Sequence, residues 1–159
     1  MPRLVLIVFV LLLGGCGFTL RGAADLPPQL RTLYLESSDM DSELLRELRR
    51  ALQGNGVAVS ADAGEVYSLG IGAEERSERV VSVNVNARAG EYELTLEVPW
   101  QLRQGATVVA GPERLSSSRS YLADPENAVA KSQEAEQILR EMRQDLSRQL
   151  LRRLQALTL

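Results

Sequence analysis

Thirteen residues in the middle of the chain, EYELTLEVPWQLR (91–103), restrict its fold more than any other stretch. Tyr92, Leu94, Leu96, Val98, Trp100 and Leu102 alternate with Glu91, Glu93, Thr95 and Glu97. A period of two fits a strand with one dry and one wet face, and fits no helix. Such a strand cannot stand alone: its apolar side chains need a covering layer, and its backbone needs strands to pair with. Pro99 falls on the wet side, and its missing N–H predicts a bulge or a sheet edge there.

The remaining segments supply strands and a cover. LRTLYLE (30–36) reads as a buried strand, VAVS (57–60) as a short strand or extended link, and EVYSLGIGA (65–73) as a strand with Tyr67, Leu69, Ile71 and Ala73 on one side. RVVSVNVNA (79–87) alternates Val81, Val83 and Val85 against Val80, Ser82, Asn84 and Asn86, and ARAG then turns the chain. After QGA, a less apolar strand spans 108–121, with Ser116, Ser117 and Ser118 in its middle. Leu44, Leu45, Leu48, Ala51 and Leu52 share one helical face. Asp41 or Ser42 can cap that helix and Gly54 can end it. A second helix starts at Asp124 as N-cap, with Pro125 and Glu126 in its first turn, and runs to about residue 157. Val129, Ala135, Ile138, Leu139, Met142, Leu146, Leu150 and Leu154 form its apolar stripe. At about 1.5 Å per residue it approaches ~50 Å, which predicts a bend or an overhang. The pattern predicts an α+β fold: a two-layer sandwich with one mixed, mostly antiparallel sheet and two helices packed on one face, the C-terminal helix long.

The residue inventory excludes much chemistry. The chain has no His, which removes His-based triads, His acid–base work and most zinc sites. There is no G-x-S-x-G and no phosphate-cradling Gly loop, and Lys131 has Ala128 where a Ser–Lys nucleophile needs Ser. Asp39, Asp41 and Glu43 imitate the start of a calcium loop, but Leu44 and Arg50 stand where its Gly and closing Glu belong; the cluster reads as a helix cap. Eighteen basic side chains against 21 acidic give a net charge of −3, so nucleic acid is not the expected main partner. We expect no enzyme activity, no metal and no free cofactor. Arg148, Arg152 and Arg153 near the C-terminus read as a complement to the helix dipole, and Lys131, the only lysine, as a surface charge on composition alone.

The beginning of the chain predicts a compartment. Arg3 precedes ten apolar residues (4–13), too few for a bilayer-spanning helix of about 20 and right for a signal-peptide core. Leu13-Gly14-Gly15-Cys16 then resembles the bacterial lipobox, in which the Cys thiol is joined to diacylglycerol, the peptide is cut before it, and the new amino group is acylated. Three chains on Cys16 would make attachment effectively permanent. Gly17, in place of Asp, favours the outer membrane by analogy with lipoprotein sorting. The expected organisation is a cleaved signal peptide (1–15), the acylated Cys with an extended tether through Pro27 and Pro28 (16–29), and one α+β domain (30–159).

CGFTLRG, LPPQLRTLYLES, GNGV, GEYELTLEV and DPENAVAKSQEAEQILREM occur in this order, and together the chain resembles the lipopolysaccharide-assembly lipoprotein family LptE. The resemblance implies an outer-membrane lipoprotein on the periplasmic side that sits as a plug in the lumen of the LptD barrel, helps that barrel fold and binds lipopolysaccharide. It implies lipopolysaccharide contact by the Lys of A-x-A-K, matched here by Lys131, and by a basic residue in the turn before the EY strand. The aligned position is Val85, and the nearest cation is Arg88, three residues on. The alternative reading is a periplasmic lipoprotein of a phospholipid transport system that pairs with a soluble conduit. A lipoprotein contacting peptidoglycan ranks below it, for want of a recognisable binding motif.

Overall fold

The computed structural model describes residues 26–83, 89–122 and 128–159. The expected signal peptide and Cys16 lie outside them, as do Arg88, Val85, the proposed N-cap Asp124 with Pro125 and Glu126, and the side chain of Val129.

The chain enters through a single 3-10 turn, Pro28–Leu30, which buries Leu30 completely. It continues as β1 (Thr32–Ser37), α1 (Glu43–Gly54), β2 (Ala58–Ser60), β3 (Tyr67–Ile71), β4 (Glu75–Val83), β5 (Ala89–Gln104), β6 (Thr107–Leu122) and α2 (Ala128–Gln155). Six strands make one mixed sheet. β1 runs parallel to β2 and β3, while β3, β4 and β6 are all antiparallel to β5. The architecture is the expected α+β arrangement, with two helices and a long C-terminal one.

Local chemistry accounts for the first helix. Ser42 accepts a hydrogen bond from the Leu45 N–H at 3.3 Å, so the serine caps the helix in preference to Asp41. The helix ends beyond the expected stop: Gly54 is still helical, Asn55 is the C-cap, and the left-handed turn falls on Gly56 at φ +78°. There the Gly56 and Val57 N–H groups reach back to the Gln53 and Leu52 carbonyls, which would otherwise be unpaired.

β5 organises the sheet. Residues 91–97 pair with β4 on one edge and β6 on the other, and residues 100–104 with β3 and again β6. β3 and β4 therefore lie end to end along one edge of β5. Pro99 sits at their junction, in a central strand and not at a sheet edge. The Pro99 carbonyl accepts from the Gly72 N–H at 2.8 Å. A β residue presents its N–H and C=O to the same neighbour, so the donor that Pro99 lacks would have pointed at this junction between strands. A Cβ on Gly72 would stand 2.4 Å from the Pro99 ring, so only glycine fits opposite it. A register irregularity begins one residue on, past Trp100 in β5, and another lies past Val80 in β4.

Leu94, Leu96, Val98, Trp100 and Leu102 are all buried, on the face predicted to be dry. They meet Leu44, Leu45, Leu48 and Leu52 of α1 and Leu139, Met142, Leu146, Leu150 and Leu154 of α2 in one core. At about 1.5 Å per residue, the 28 residues of α2 span ~42 Å; at about 3.4 Å per residue, the 16 residues of β6 span ~54 Å. The strands are as long as the helix. No helix among the described residues is long and apolar enough to cross a membrane.

Candidate functional site

α2 lies antiparallel along β6. Asp145 accepts from the Ser117 hydroxyl at 3.3 Å, Gln149 donates to the Ser116 carbonyl at 3.0 Å, and Arg153 pairs with Glu113. This register runs up the molecule: β4, the first part of β5 and the last part of β6 extend past the β1–β3 pairing as a three-stranded arm. Lys131 is 14 residues before Asp145, or about 21 Å further along the helix. That distance places it at about the level of the outer end of β6, on the other face of the sheet from Leu122, which pairs with Glu91.

The outer end of the arm is unusually apolar for a surface. Val80, Val81, Val83 and Leu122 are all exposed, the last two by 68% and 65%. Val83 pairs with Ala89 and Leu122 with Glu91, so both belong to the last rungs of the arm. Tyr92 and Tyr121 oppose each other one rung below and stack with ring centroids 5.6 Å apart. The Tyr121 hydroxyl donates to Glu78 at 3.0 Å. Burial first, then the Glu78 carboxylate, holds its pKa above the ordinary tyrosine value. The nine residues of β4 are exposed throughout. The alternating valines of 79–87 therefore define no buried face over the described part, because no helix covers β4.

Lys131 is only partly exposed, and its Nζ donates to Glu134 Oε2 at 2.7 Å. The two are three residues apart on one helical face. Its charge is thus shared with a neighbouring carboxylate but remains at the surface. Arg88, the other cation implied by the resemblance, is outside the described residues. Cys16 lies outside them as well.

The helix-free face of the sheet has a different character. Arg79 bonds Glu93 at 2.7 Å, Arg114 bonds Glu75 at 2.7 Å and approaches Glu97 at 3.8 Å, and Arg103 reaches Glu36 at 3.3 Å. Between these pairs the Thr95 and Ser118 hydroxyls share a hydrogen bond of 3.0 Å. The hydrogen bond from Arg114 and then its charge hold the Glu75 carboxyl below its ordinary pKa. A concavity of about 560 Å³ opens on this face over Gly70 and Gly72, walled by Glu36, Gln101 and Pro112. Among the described residues, no three His, Cys, Asp or Glu side chains gather as a metal site.

With this geometry in view, the comparisons are direct. The family model LptE, described as lipopolysaccharide-assembly, matches residues 30–154. The LPS-assembly lipoprotein LptE of Yersinia pestis (strain Pestoides F) is 36% identical over 157 residues, covering 95% of this chain and 73% of its own. The chain belongs to the LptE family. Its fold is similar to the crystal structure of rare lipoprotein B from Shewanella oneidensis, with a TM-score of 0.69 and 31% identity over 76% of this chain and 91% of that one. The solution structure of an uncharacterized lipoprotein B from Nitrosomonas europaea shares the fold, with a TM-score of 0.73 at 24% identity over 88% of this chain and 91% of that one. The family supports a lipopolysaccharide-assembly role, which is not catalytic. Sequence reading missed the exposed Val80, Val83 and Leu122. The available signal was the run ERSER at 75–79, which is polar on both faces of its strand and so cannot lead into a covered one.

Proposed function

We propose that this chain assists lipopolysaccharide assembly at the outer membrane as a lipid-anchored plug and folding partner inside the LptD barrel, and that it binds lipopolysaccharide at the outer end of its arm. One observation carries the ligand part. Exposed Val80, Val83 and Leu122 mark the end of the arm toward which Lys131 lies along α2, Val80 on the helix side of the sheet and Val83 and Leu122 on the other. Lipopolysaccharide is an amphiphile whose phosphates lie next to acyl chains, and an apolar surface beside an ammonium offers a contact to each. The plug part is supported by the helix-free face, where each arginine of the ladder meets a carboxylate and hydroxyls fill the gaps. Such a face suits the polar interior of a large barrel. Cys16, acylated, holds the domain at the membrane.

The ligand is tested with the purified chain and lipopolysaccharide. Lys131→Asp should weaken binding several-fold, more at low salt than at high salt, because the contact is surface electrostatics. Arg88→Asp should act in the same direction and less strongly. Unchanged affinity for Lys131→Asp at low salt, with the fold intact, removes Lys131 from the site. Crosslinking in intact outer membranes tests the partner. Recovery with one large barrel supports the plug, and recovery with a soluble periplasmic conduit favours the phospholipid-transport alternative.

A further inference from the structure

Glu36, Gly70 and Gln101 form one row across β1, β3 and β5 on the helix-free face. One row further on, Gly72 meets Pro99. Arg103 and Arg114 stand on either side of these rows, but two positions within them carry no side chain. The little that fills this floor is low. The Pro99 ring occupies the space over Gly72, and the Gln101 side chain leans over Gly70, its Cγ 3.3 Å and its Nε2 3.6 Å from where a Gly70 Cβ would stand. On the β6 side, Gly111 and Pro112 together oppose Gln101 as a bulge. Pro112 forms the wall there, and Glu36 and Ser38 form the opposite one. The enclosed volume of about 560 Å³ lies within the roughly 300–1,000 Å³ usual for a small-molecule site.

The chemistry of the walls selects a ligand class. Both flanking arginines are taken: Arg103 pairs with Glu36 at 3.3 Å and Arg114 with Glu75 at 2.7 Å. No guanidinium is left for a phosphate, and the Glu36 carboxylate repels one. An acyl chain would strip water from Glu36 and from the Gln101 amide and return no hydrogen bond to either, which is costly. The Gln101 amide has no hydrogen-bond partner among the described residues, so its donors and its acceptor are open. Glu36 offers a further acceptor and Ser38 a hydroxyl. Between these groups lie only C–H surfaces, from the two proline rings and the glycine backbone. A pyranose ring has the matching pattern, hydroxyls at its rim and C–H on its faces. We propose that this concavity binds a neutral sugar of the lipopolysaccharide oligosaccharide, its hydroxyls bonded by Gln101 and Glu36 and its C–H face on Pro99 and Pro112. The sugar class follows from the concavity, while its source rests on the lipopolysaccharide reading above. The contact is separate from the arm end, since Gln101 is nine residues from Tyr92 along β5, or about 30 Å.

The test uses the full acylated chain in detergent micelles. The probe is the oligosaccharide released from lipopolysaccharide and freed of lipid and phosphate. Titration followed by amide NMR should shift the signals of Gly70, Gly72 and Gln101 and leave those of Val83 and Leu122 in place. Gly70→Val sets a strand-compatible side chain into the floor, where the flexible Gln101 side chain is what must yield, and should weaken binding about tenfold or more. Gln101→Ala keeps the floor open and should weaken binding about fivefold, the usual worth of a neutral hydrogen bond. Gln133→Ala, exposed on α2, should bind as wild type does. Circular dichroism establishes that each variant is folded. The proposal is overturned if the oligosaccharide leaves the three signals unmoved, if it shifts the arm end instead, or if the folded Gln101→Ala and Gly70→Val chains bind it unchanged. It is also overturned if Gly70→Val keeps the oligosaccharide but loses the barrel in outer-membrane crosslinking, which would make the concavity a protein contact. Failure of the arm-end reading looks different: affinity for intact lipopolysaccharide ignores Lys131→Asp while the lipid-free oligosaccharide still titrates into the concavity. That outcome removes the arm-end site and leaves this one standing.

Discussion

Arg143 makes three hydrogen bonds to two carboxylates, and removing it tests how helix α2 is fastened to the sheet. Its Nε and Nη2 donate to the two oxygens of Glu74 at 2.9 and 2.8 Å, a bidentate pair from α2 to the junction of β3 and β4. Its Nη1 also meets Glu43, at the start of α1. One guanidinium thus joins both helices to the sheet. Its hydrogen bonds to Glu74 raise its pKa, which burial works against. The Arg143 side chain is 13% exposed and Glu74 24%. Exposed ion pairs contribute about 0.2–1 kcal/mol, and breaking a buried one costs about 3–5 kcal/mol. The bidentate pair lies between those limits and nearer the lower one, because both carboxylates still reach water. Arg143→Met should therefore destabilise the domain by about 2 kcal/mol, lowering Tm by roughly 6–10 °C for a domain of this size. Arg143→Lys keeps the charge but not the fork, and should recover less than half of the loss. A double-mutant cycle with Glu74→Gln in urea melts should give a coupling of about 1.5 kcal/mol. A coupling below about 0.5 kcal/mol would refute the bidentate tie and leave Arg143 as one more surface charge.

Two further outcomes are expected. Leu96→Ala, at a fully buried site, should cost about 2–5 kcal/mol, whereas Thr95→Ala should cost about 0.5 kcal/mol or less, since it loses only an exposed hydroxyl bond to Ser118; equal shifts in urea melts would contradict the division of faces on β5. Burial pushes the Asp145 carboxyl up, but hydrogen bonds from Gln149 and Ser117 and the charges of Arg148 and Arg119 outweigh it, so its pKa is lowered on folding. The stability this gives is present above the unfolded value of about 3.9 and is lost as pH falls through the lower folded value. Asp145→Asn should thus be less stable than wild type near pH 6, with the gap narrowing once pH falls below about 3.9; a gap that stays constant as pH is lowered through that value would refute the linkage.

Some of this architecture could be read from the chain and some could not, for reasons tied to particular residues. The dry face of β5 was legible because six apolar side chains repeat at the strand period, and the Ser42 cap because a hydroxyl stood just before an apolar helical face. Pro99 was read as an edge or a bulge: it is not at an edge but beside a register shift that begins at Trp100, and the break of the facing strand at Gly72 that makes its missing donor harmless is a fact of pairing and not of composition. The valines near 80 looked like core. Alternation is the same whether or not a helix lies above it, and the cover depends on α2, which starts more than 40 residues later. Arg153 was read as a dipole complement, and the register of helix on sheet gave it Glu113. At the candidate site, the tie between Lys131 and Glu134 follows from a spacing of three, while the exposure of Val80, Val83 and Leu122 needed the fold.

β5 and β6 pass without interruption from the core into the arm, and α2 lies along them for most of their length. In mechanical terms the arm is a braced cantilever. Bending it would require the ladder between two 16-residue strands to shear and the helix stripe to slide over it, so the arm has no hinge at its root. A load applied at its outer end is carried by the same leucines that hold the core together. Whatever meets Val83 and Leu122 therefore pulls on the whole domain, and stiffness at the contact is set by packing some 30 Å away, roughly nine strand residues along.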